Sequence, residues 1–356
     1  MKIQHDKLKQ LIRTVFALAG CEPPEDERIA HYLIESNLVG HDSHGVIRVR
    51  NYIVWLQKGM VRANQTLRVV FETDVISIVD GGLGFGQAIG EQTMKHAIAK
   101  VRPHGVAVVA LRNCGHLGRI GEWAQMAAQA GLISLHFVNT DGFGTLVAPF
   151  GGTERRLSAN PIAAGVPVAD GEPIVLDMST CAIAEGKIKV AHNKGEAVPP
   201  NCIIDADGKP TNDPVRFYAD PPGAILPVGG HKGFGLGVLT DVLAGALTGS
   251  GCTDPGNRDR LRSGMLVILL DPDRFPTDVP FSVELGKLID WVRSSRLATP
   301  GGEILMPGEP ESRTRTLRLK DGIDLDDNTW RQILEGAASV GLAADEASAL
   351  AGIEAA

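Results

Sequence analysis

Two apolar runs constrain this chain most: GVAVVAL at 105 to 111 and LISLHFVNT at 132 to 140, with a helical pattern around Glu122 to Ala130 between them. Such short, continuously apolar runs read as strands buried on both faces, and with the intervening helix they make a βαβ-like unit. Further strand-like runs stand at Ser77 to Val79, Ile174 to Leu176 and Met265 to Leu270, and helices are expected at about Gln87 to Val101 and Phe234 to Leu247. This alternation predicts an α/β protein.

The ends of the chain read as helical. From Asp6 to Ala19, Leu8, Leu11, Ile12, Val15 and Phe16 recur at helical spacing until Gly20 supplies a stop. Pro23 and Pro24 open a second helix that carries Ile29, Leu33 and Leu38 and ends at Gly40, so GHDSHGVIRVRNY starts at a helix end. Near the C-terminus, DDNTWRQILEGAASVG reads as a capped terminal helix.

Bulk properties exclude several classes. With 356 residues there is room for two domains and a site between them. A net charge of -7 without a basic stripe excludes a nucleic-acid partner. Cys21, Cys114, Cys181, Cys202 and Cys252 are scattered, without a CxxC pair, and read as reduced thiols. The start MKIQHDKLKQ lacks a signal-like run and no apolar stretch approaches about 18 residues, so a cytoplasmic protein with no membrane span is expected.

The glycine-dense turn DGGLGFGQAIG lies where a dinucleotide-binding turn would sit. That turn wants GxGxxG and an acidic residue about 20 positions on. Here Gly84 and Gly86 are followed by Ile89, Gly90 comes one residue late, and the region near 105 offers no carboxylate. A structural turn is the better reading.

Several side chains could carry chemistry. His41 and His44 are three apart, but no further ligands stand at recognisable spacing, so no metal is expected. An imidazole such as His44 exchanges protons near neutral pH, and Arg48, one turn on, offers the planar fork that grips a carboxylate. Together they point to 2-oxo acid chemistry. His116 in NCGHLG follows a strand and is a second acid/base candidate. His231 and Lys232, in a glycine-rich turn before a helix, bring a cation to free N–H groups and suit a phosphate or carboxylate. In LDMST, Asp177 is followed by two hydroxyls, which could orient a histidine or meet a cofactor.

In order and spacing, GHDSHGVIRVRNY, NCGHLGRIGEWAQMAA, VAPFGGTERRLSANPIA, LDMSTCAIAEGKIKVA, DADGKPTNDP and GGHKGFGLGVLTDVLAGALTG resemble the malate/L-lactate dehydrogenase family, which is unrelated to Rossmann-type lactate dehydrogenases. The wording of HLGRIGEWA, GEAVPPNCIID and HKGFGLG is similar to its hydroxycarboxylate dehydrogenase B branch. The resemblance implies a three-layer, mixed-sheet α/β fold of the L-sulfolactate dehydrogenase type with helical N- and C-terminal elements, not a Rossmann fold. It implies a homodimer using NAD or NADP. Residues 1–122 with 300–356 would form a helical, substrate and dimerisation domain, and 123–299 a cofactor domain.

By the same resemblance His44 matches the proton donor, oriented by Asp177, with His116 as an alternative. Arg48 matches the carboxylate clamp, with Ser43 beside the substrate. Asn139, Thr140, Met178, Ser179, Thr180, His231, Lys232, Pro307, Gly308 and Glu309 match cofactor-contacting places. Two departures stand out. NTDGFGT adds Asp141 near the expected substrate, where it would disfavour a second carboxylate, and SANP at 158 to 161 replaces the usual GTNP. The expected reaction is hydride transfer between NAD(P)H and a small 2-oxo acid. Reduction of a cyclic imino acid, or a silent relative that binds cofactor, are the alternatives.

Overall fold

The computed structural model describes residues 1–142, 144–254 and 261–353. Its centre is a seven-stranded mixed sheet. In chain order the strands are β1 (Arg68–Glu72), β2 (Ile76–Asp80), β3 (Val106–Cys114), β4 (Ile133–Gly142), β5 (Ile162–Val166), β6 (Ile174–Met178) and β7 (Leu261–Leu270). In space they run β1-β2-β3-β7-β4-β5-β6, and only the β2–β3 pairing is parallel. The two strands read first from the sequence, β3 and β4, are thus separated by β7, which pairs antiparallel with both. The expected βαβ unit exists with a strand inserted into it.

The sheet is covered on both faces because side chains alternate along a strand. Ala107, Val109 and Leu111 of β3, Val138 of β4, and Met265, Val267 and Leu269 of β7 turn toward the helices Gly86–His104 and Gly121–Gln129. Asn139 and Gly264 have the opposite parity and meet the helix His231–Asp241 and its continuation. A Cβ on Gly264 would overlap the Ala244 carbonyl, so this close packing needs glycine. The fold is a three-layer α/β arrangement, as the resemblance implied.

A second core joins the two ends of the chain. Helices His5–Leu18, Glu25–Leu38 and Val49–Gln57 pack with Asp327–Ala338 and Ala344–Leu350 around Leu11, Phe16, Leu33, Ile53 and Ile333. The apolar stripes recur at helical spacing, and each fully buried side chain stabilises this core by about 1.5–3 kcal/mol. Lys2–Ile3 pairs with Ile323–Asp324.

Several boundaries differ from expectation. The Asp326-capped helix is not terminal, since Ala344–Leu350 follows it. The helix expected at 234 to 247 begins at His231 and becomes a π-helical turn at Val242–Ala246. Glu309–Asp321 was not legible because it buries no residue. Tertiary ion pairs hold it instead: Arg315 forks Glu35, and Arg318 forks Asp42.

Candidate active site

The loop after Gly40 is shaped by one buried amide. Asn37 donates from Nδ2 to Asp42 at 2.6 Å and accepts the Val46 N–H at 2.8 Å. A Cβ on Gly45 would overlap this side chain. The chain therefore folds as two single turns of 3-10 helix, Asp42–His44 and Val46–Arg48, rather than as one α-helix. His41 does not join His44: its Nε2 lies 3.3 Å from Glu311 Oε1.

His44, Arg48 and His116 converge. The rings of His44 and His116 stack with centroids 5.7 Å apart and planes within 11°. Arg48 is held at its Nε, which donates to the Ser43 carbonyl at 2.6 Å. This bond orients the side chain while using none of the two terminal nitrogens of the fork. The Ser43 hydroxyl sits 3.0 Å from His44 Nδ1. On the other side, Tyr52 Oη lies 2.7 Å from His116 Nδ1, and Gln87 Nε2 donates to the same phenol at 2.9 Å.

Both imidazoles favour the neutral form. Burial, with the charges of His116 and Arg48, holds His44 well below the ordinary histidine range. Burial, reinforced by Arg48, pushes His116 down to about 3. A cation beside two dry imidazoles disfavours a second positive charge.

The glycine turn serves this cluster. Gly84 accepts the Gly115 N–H at 2.9 Å. Gly86 abuts His116 and Leu117, and a Cβ there would overlap the His116 carbonyl oxygen. Gly90 lies against the ring of Trp123. At Gly84, Gly86 and Gly90 protein atoms stand where a Cβ would lie, so these glycines serve close packing and the turn buttresses His116, in agreement with the structural reading.

Asp177 occupies a different place from the one expected. Its Oδ2 accepts the Gly121 N–H at 2.8 Å, at the start of the helix that follows His116, and it makes no hydrogen bond to His44. Ser43 takes that position on the imidazole. The carboxylate instead suits the positive end of helix Gly121–Gln129.

The other candidates gather along edge strand β6. Val175 N–H donates to the Pro307 carbonyl at 2.9 Å, and Gly308, at φ +100°, caps helix Glu309–Asp321 against Val175. At the far end of β6, Met178 and Ser179 lead to Thr180, whose carbonyl accepts the Val228 N–H. Gly233 and Gly237 pack closely on Thr180. This seats helix His231–Asp241, with His231 and Lys232 exposed at its N-terminus. Gly186 lies against Ser43, so the LDMST block reaches the HDSHG loop.

Asn139 and Asp141 do not join this group. Asn139 is fully buried and donates to Asp241 and the Gly251 carbonyl while accepting from Gly264. Its side chain is spent on protein partners, which corrects its expected contact with a cofactor. Thr140 lies 3.4 Å from Ser263. Asp141 is also buried and pairs with Arg262 at 2.8 Å, so it presents no free negative charge to a substrate. Phe143 of the same segment lies outside the described residues.

A family model described as malate/L-lactate dehydrogenase matches residues 3–334. The chain belongs to the malate/L-lactate dehydrogenase family. Hydroxycarboxylate dehydrogenase B of Escherichia coli is 37% identical over 339 residues, covering 94% of this chain and 93% of the relative. L-sulfolactate dehydrogenase of Methanocaldococcus jannaschii is 36% identical, covering 96% and 98%, and its solved structure superposes with a TM-score of 0.83. The fold also superposes, with a TM-score of 0.82 at 30% identity, on delta1-piperideine-2-carboxylate reductase from Pseudomonas syringae, covering 94% of this chain and 99% of that one.

For this malate/L-lactate dehydrogenase family member, sequence reasoning missed three residues that build the site: Asn37, Tyr52 and Gln87. Asn37 follows Leu33 by four on the buried helical stripe, and a polar residue there was the available signal. Tyr52 likewise follows Arg48 by four. Gln87 carried no signal, because its partner is 35 residues away.

Proposed function

We propose that this dehydrogenase interconverts a small 2-oxo acid and the corresponding 2-hydroxy acid with NAD or NADP. The observation that carries the reading is the convergence of Arg48, anchored at Nε, with two neutral histidines. The terminal nitrogens of Arg48 grip the substrate carboxylate, and this sets C2 and its oxygen against the imidazoles. His44 exchanges the proton on that oxygen, with Ser43 fixing its Nδ1 and leaving Nε2 to face substrate. Asp177 contributes by pinning the segment that follows His116.

The residues along β6 fit a nicotinamide dinucleotide. At His231 and Lys232, the first N–H groups of a helix lack intrahelical acceptors, and an exposed ammonium stands beside them, the donor set a diphosphate requires. Leu176, on the same edge, is 39% exposed and offers an apolar surface to a ring. We assign Met178 to Thr180 and Pro307 to Glu309 to the remainder of that cleft, with Thr140 at its margin. When bound, the nicotinamide supplies and recovers the hydride at C2.

A homodimer accompanies this reading. Helix Phe281–Arg293 buries only Ile289 and exposes Val283, Leu288 and Trp291, the last at 77%. Such a face suits a second copy. We assign 1–122 with 300–356 to the helical and substrate side and 123–299 to the cofactor side, supported by the shared core of the terminal helices. Among the described residues no helix is long and apolar enough to cross a membrane. The five cysteines are free thiols, and we propose a cytoplasmic enzyme.

The test is a panel of 2-oxo acids with NADH and NADPH, followed by nicotinamide absorbance. Turnover of at least one acid is expected. Because of the likeness to the piperideine carboxylate reductase, the panel includes a cyclic imino acid. Turnover of that compound alone would replace the 2-oxo acid reading, and inactivity throughout would refute it.

A further inference from the structure

His44 and His116 stack side by side beside Arg48, but their Nδ1 atoms meet different partners, Ser43 and Tyr52. We infer that the chain Gln87–Tyr52–His116 fixes His116 as the neutral imidazole with its proton on Nε2, so that it donates a hydrogen bond to the C2 oxygen throughout, while His44 alone exchanges the proton. The inference rests on the 2-oxo acid reading above.

The assignment follows from counting protons. A carboxamide N–H can only donate, and a phenol carries one proton. Gln87 Nε2 donates to Tyr52 Oη at 2.9 Å. The phenol proton then goes to its other neighbour, His116 Nδ1 at 2.7 Å. Nδ1 is therefore bare, and the neutral ring holds its proton on Nε2. Gln87 and Tyr52 are each only 1% exposed, so the chain is shielded from exchange with bulk water. The amide orientation is the hinge: reversed, its oxygen would take the phenol proton and force His116 to carry a proton on Nδ1.

His44 differs. Its Nδ1 meets the Ser43 hydroxyl, which can donate or accept, so both protonation states are accommodated. In reduction, as hydride reaches C2, the carbonyl π pair moves onto oxygen. That oxygen takes the Nε2 proton of protonated His44, and His116 keeps its own proton while its N–H···O bond tightens. In oxidation neutral His44 accepts the hydroxyl proton. A neutral imidazole N–H is a competent donor to developing oxyanion charge. Tyr52 and Gln87 are positioning residues: they act through His116.

The experiment is long-range 1H–15N correlation of the histidine rings in the full-length protein. His116 is expected to show the Nε2–H pattern, unchanged from pH 6 to 8. Gln87→Glu, whose carboxylate accepts from Tyr52, is expected to invert it, and Tyr52→Phe to give a mixture of tautomers. In kinetics, His116→Asn is expected to lower kcat about 10²–10³-fold, the range for one lost oxyanion donor, while the pH inflection persists; His44→Asn removes that inflection. An Nδ1–H pattern in the wild type, or loss of the inflection in His116→Asn, would overturn the inference. Inactivity on every 2-oxo acid would sink the functional reading, whereas the ring spectra report on the hydrogen-bonded chain regardless.

Discussion

Gly86→Ala separates a buttress from a phosphate cradle. In the first turn of a helix, alanine for glycine is otherwise favourable by about 0.4–1 kcal/mol. Here the added Cβ would lie 2.6 Å from Leu117 Cα, in addition to overlapping the His116 carbonyl oxygen. Carbon atoms in contact prefer about 3.5–4.0 Å, so roughly 1 Å of backbone movement is required. Overpacking of this kind costs about 1–3 kcal/mol. Because backbone must move rather than a flexible side chain, the upper part of that range applies, leaving a net loss of about 2 kcal/mol and, for a chain of 356 residues, a Tm lowered by about 3 °C. The displaced group is His116. A misplacement of about 1 Å can cost 100-fold in rate, so kcat falls while KM for the nicotinamide holds. Thermal unfolding and steady-state kinetics on the purified variant read both effects. An unchanged or raised Tm together with a raised KM for nicotinamide alone would refute the packing account and restore a phosphate role to the turn.

Other outcomes follow from the same geometry. Arg48→Lys removes the Nε anchor and the fork; losing a charge-assisted hydrogen bond of about 1.5–3 kcal/mol lowers kcat/KM about 10- to 150-fold for 2-oxo acids. The corresponding 2-oxo amide should be affected much less, and equal losses would exclude a carboxylate clamp. Because His44 is held well below the usual histidine range, it is neutral at pH 7; kcat/KM for oxidation stays flat from pH 8 to below 6.5, whereas reduction quickens as pH falls. An oxidation inflection at or above 6.5 would contradict this. Lys232→Ala raises KM for the nicotinamide by more than about tenfold, in line with loss of a charged hydrogen bond, with kcat at saturation kept; an unaltered KM would remove Lys232 from the cofactor cleft. Trp291→Asp yields monomers in analytical ultracentrifugation if that helix carries the dimer, and a dimer of unchanged affinity would exclude it.

The sequence exposed what is local and periodic. The stripe of Leu8, Leu11, Ile12, Val15 and Phe16 and the runs that became β3 and β4 were legible, because burial imposes 3.6- and 2-residue spacings. The position of β7 between β3 and β4 was not, since strand order depends on contacts far apart in the chain. Helix Glu309–Asp321 lacks an apolar stripe and is held by ion pairs to Glu35 and Asp42, which no periodicity reveals. At the site, His44, Arg48 and His116 were legible as candidates from their residue types and spacing, and the structure brings them together. Asp177 and Asn139 were placed by analogy in roles that their hydrogen bonds do not serve. A carboxylate after a strand fits a helix N-terminus as readily as a histidine, and only coordinates tell them apart.

The inserted strand also bears on how the chain is made. During synthesis β3 and β4 emerge with their facing edges open, and neither edge is satisfied until Leu270 has left the ribosome. Through that interval the nascent protein carries two unpaired apolar templates, the condition under which strands of neighbouring copies join. Completion of the sheet waits on the last strand to arrive, a long-range pairing of the kind that slows folding and lengthens the exposure of those edges.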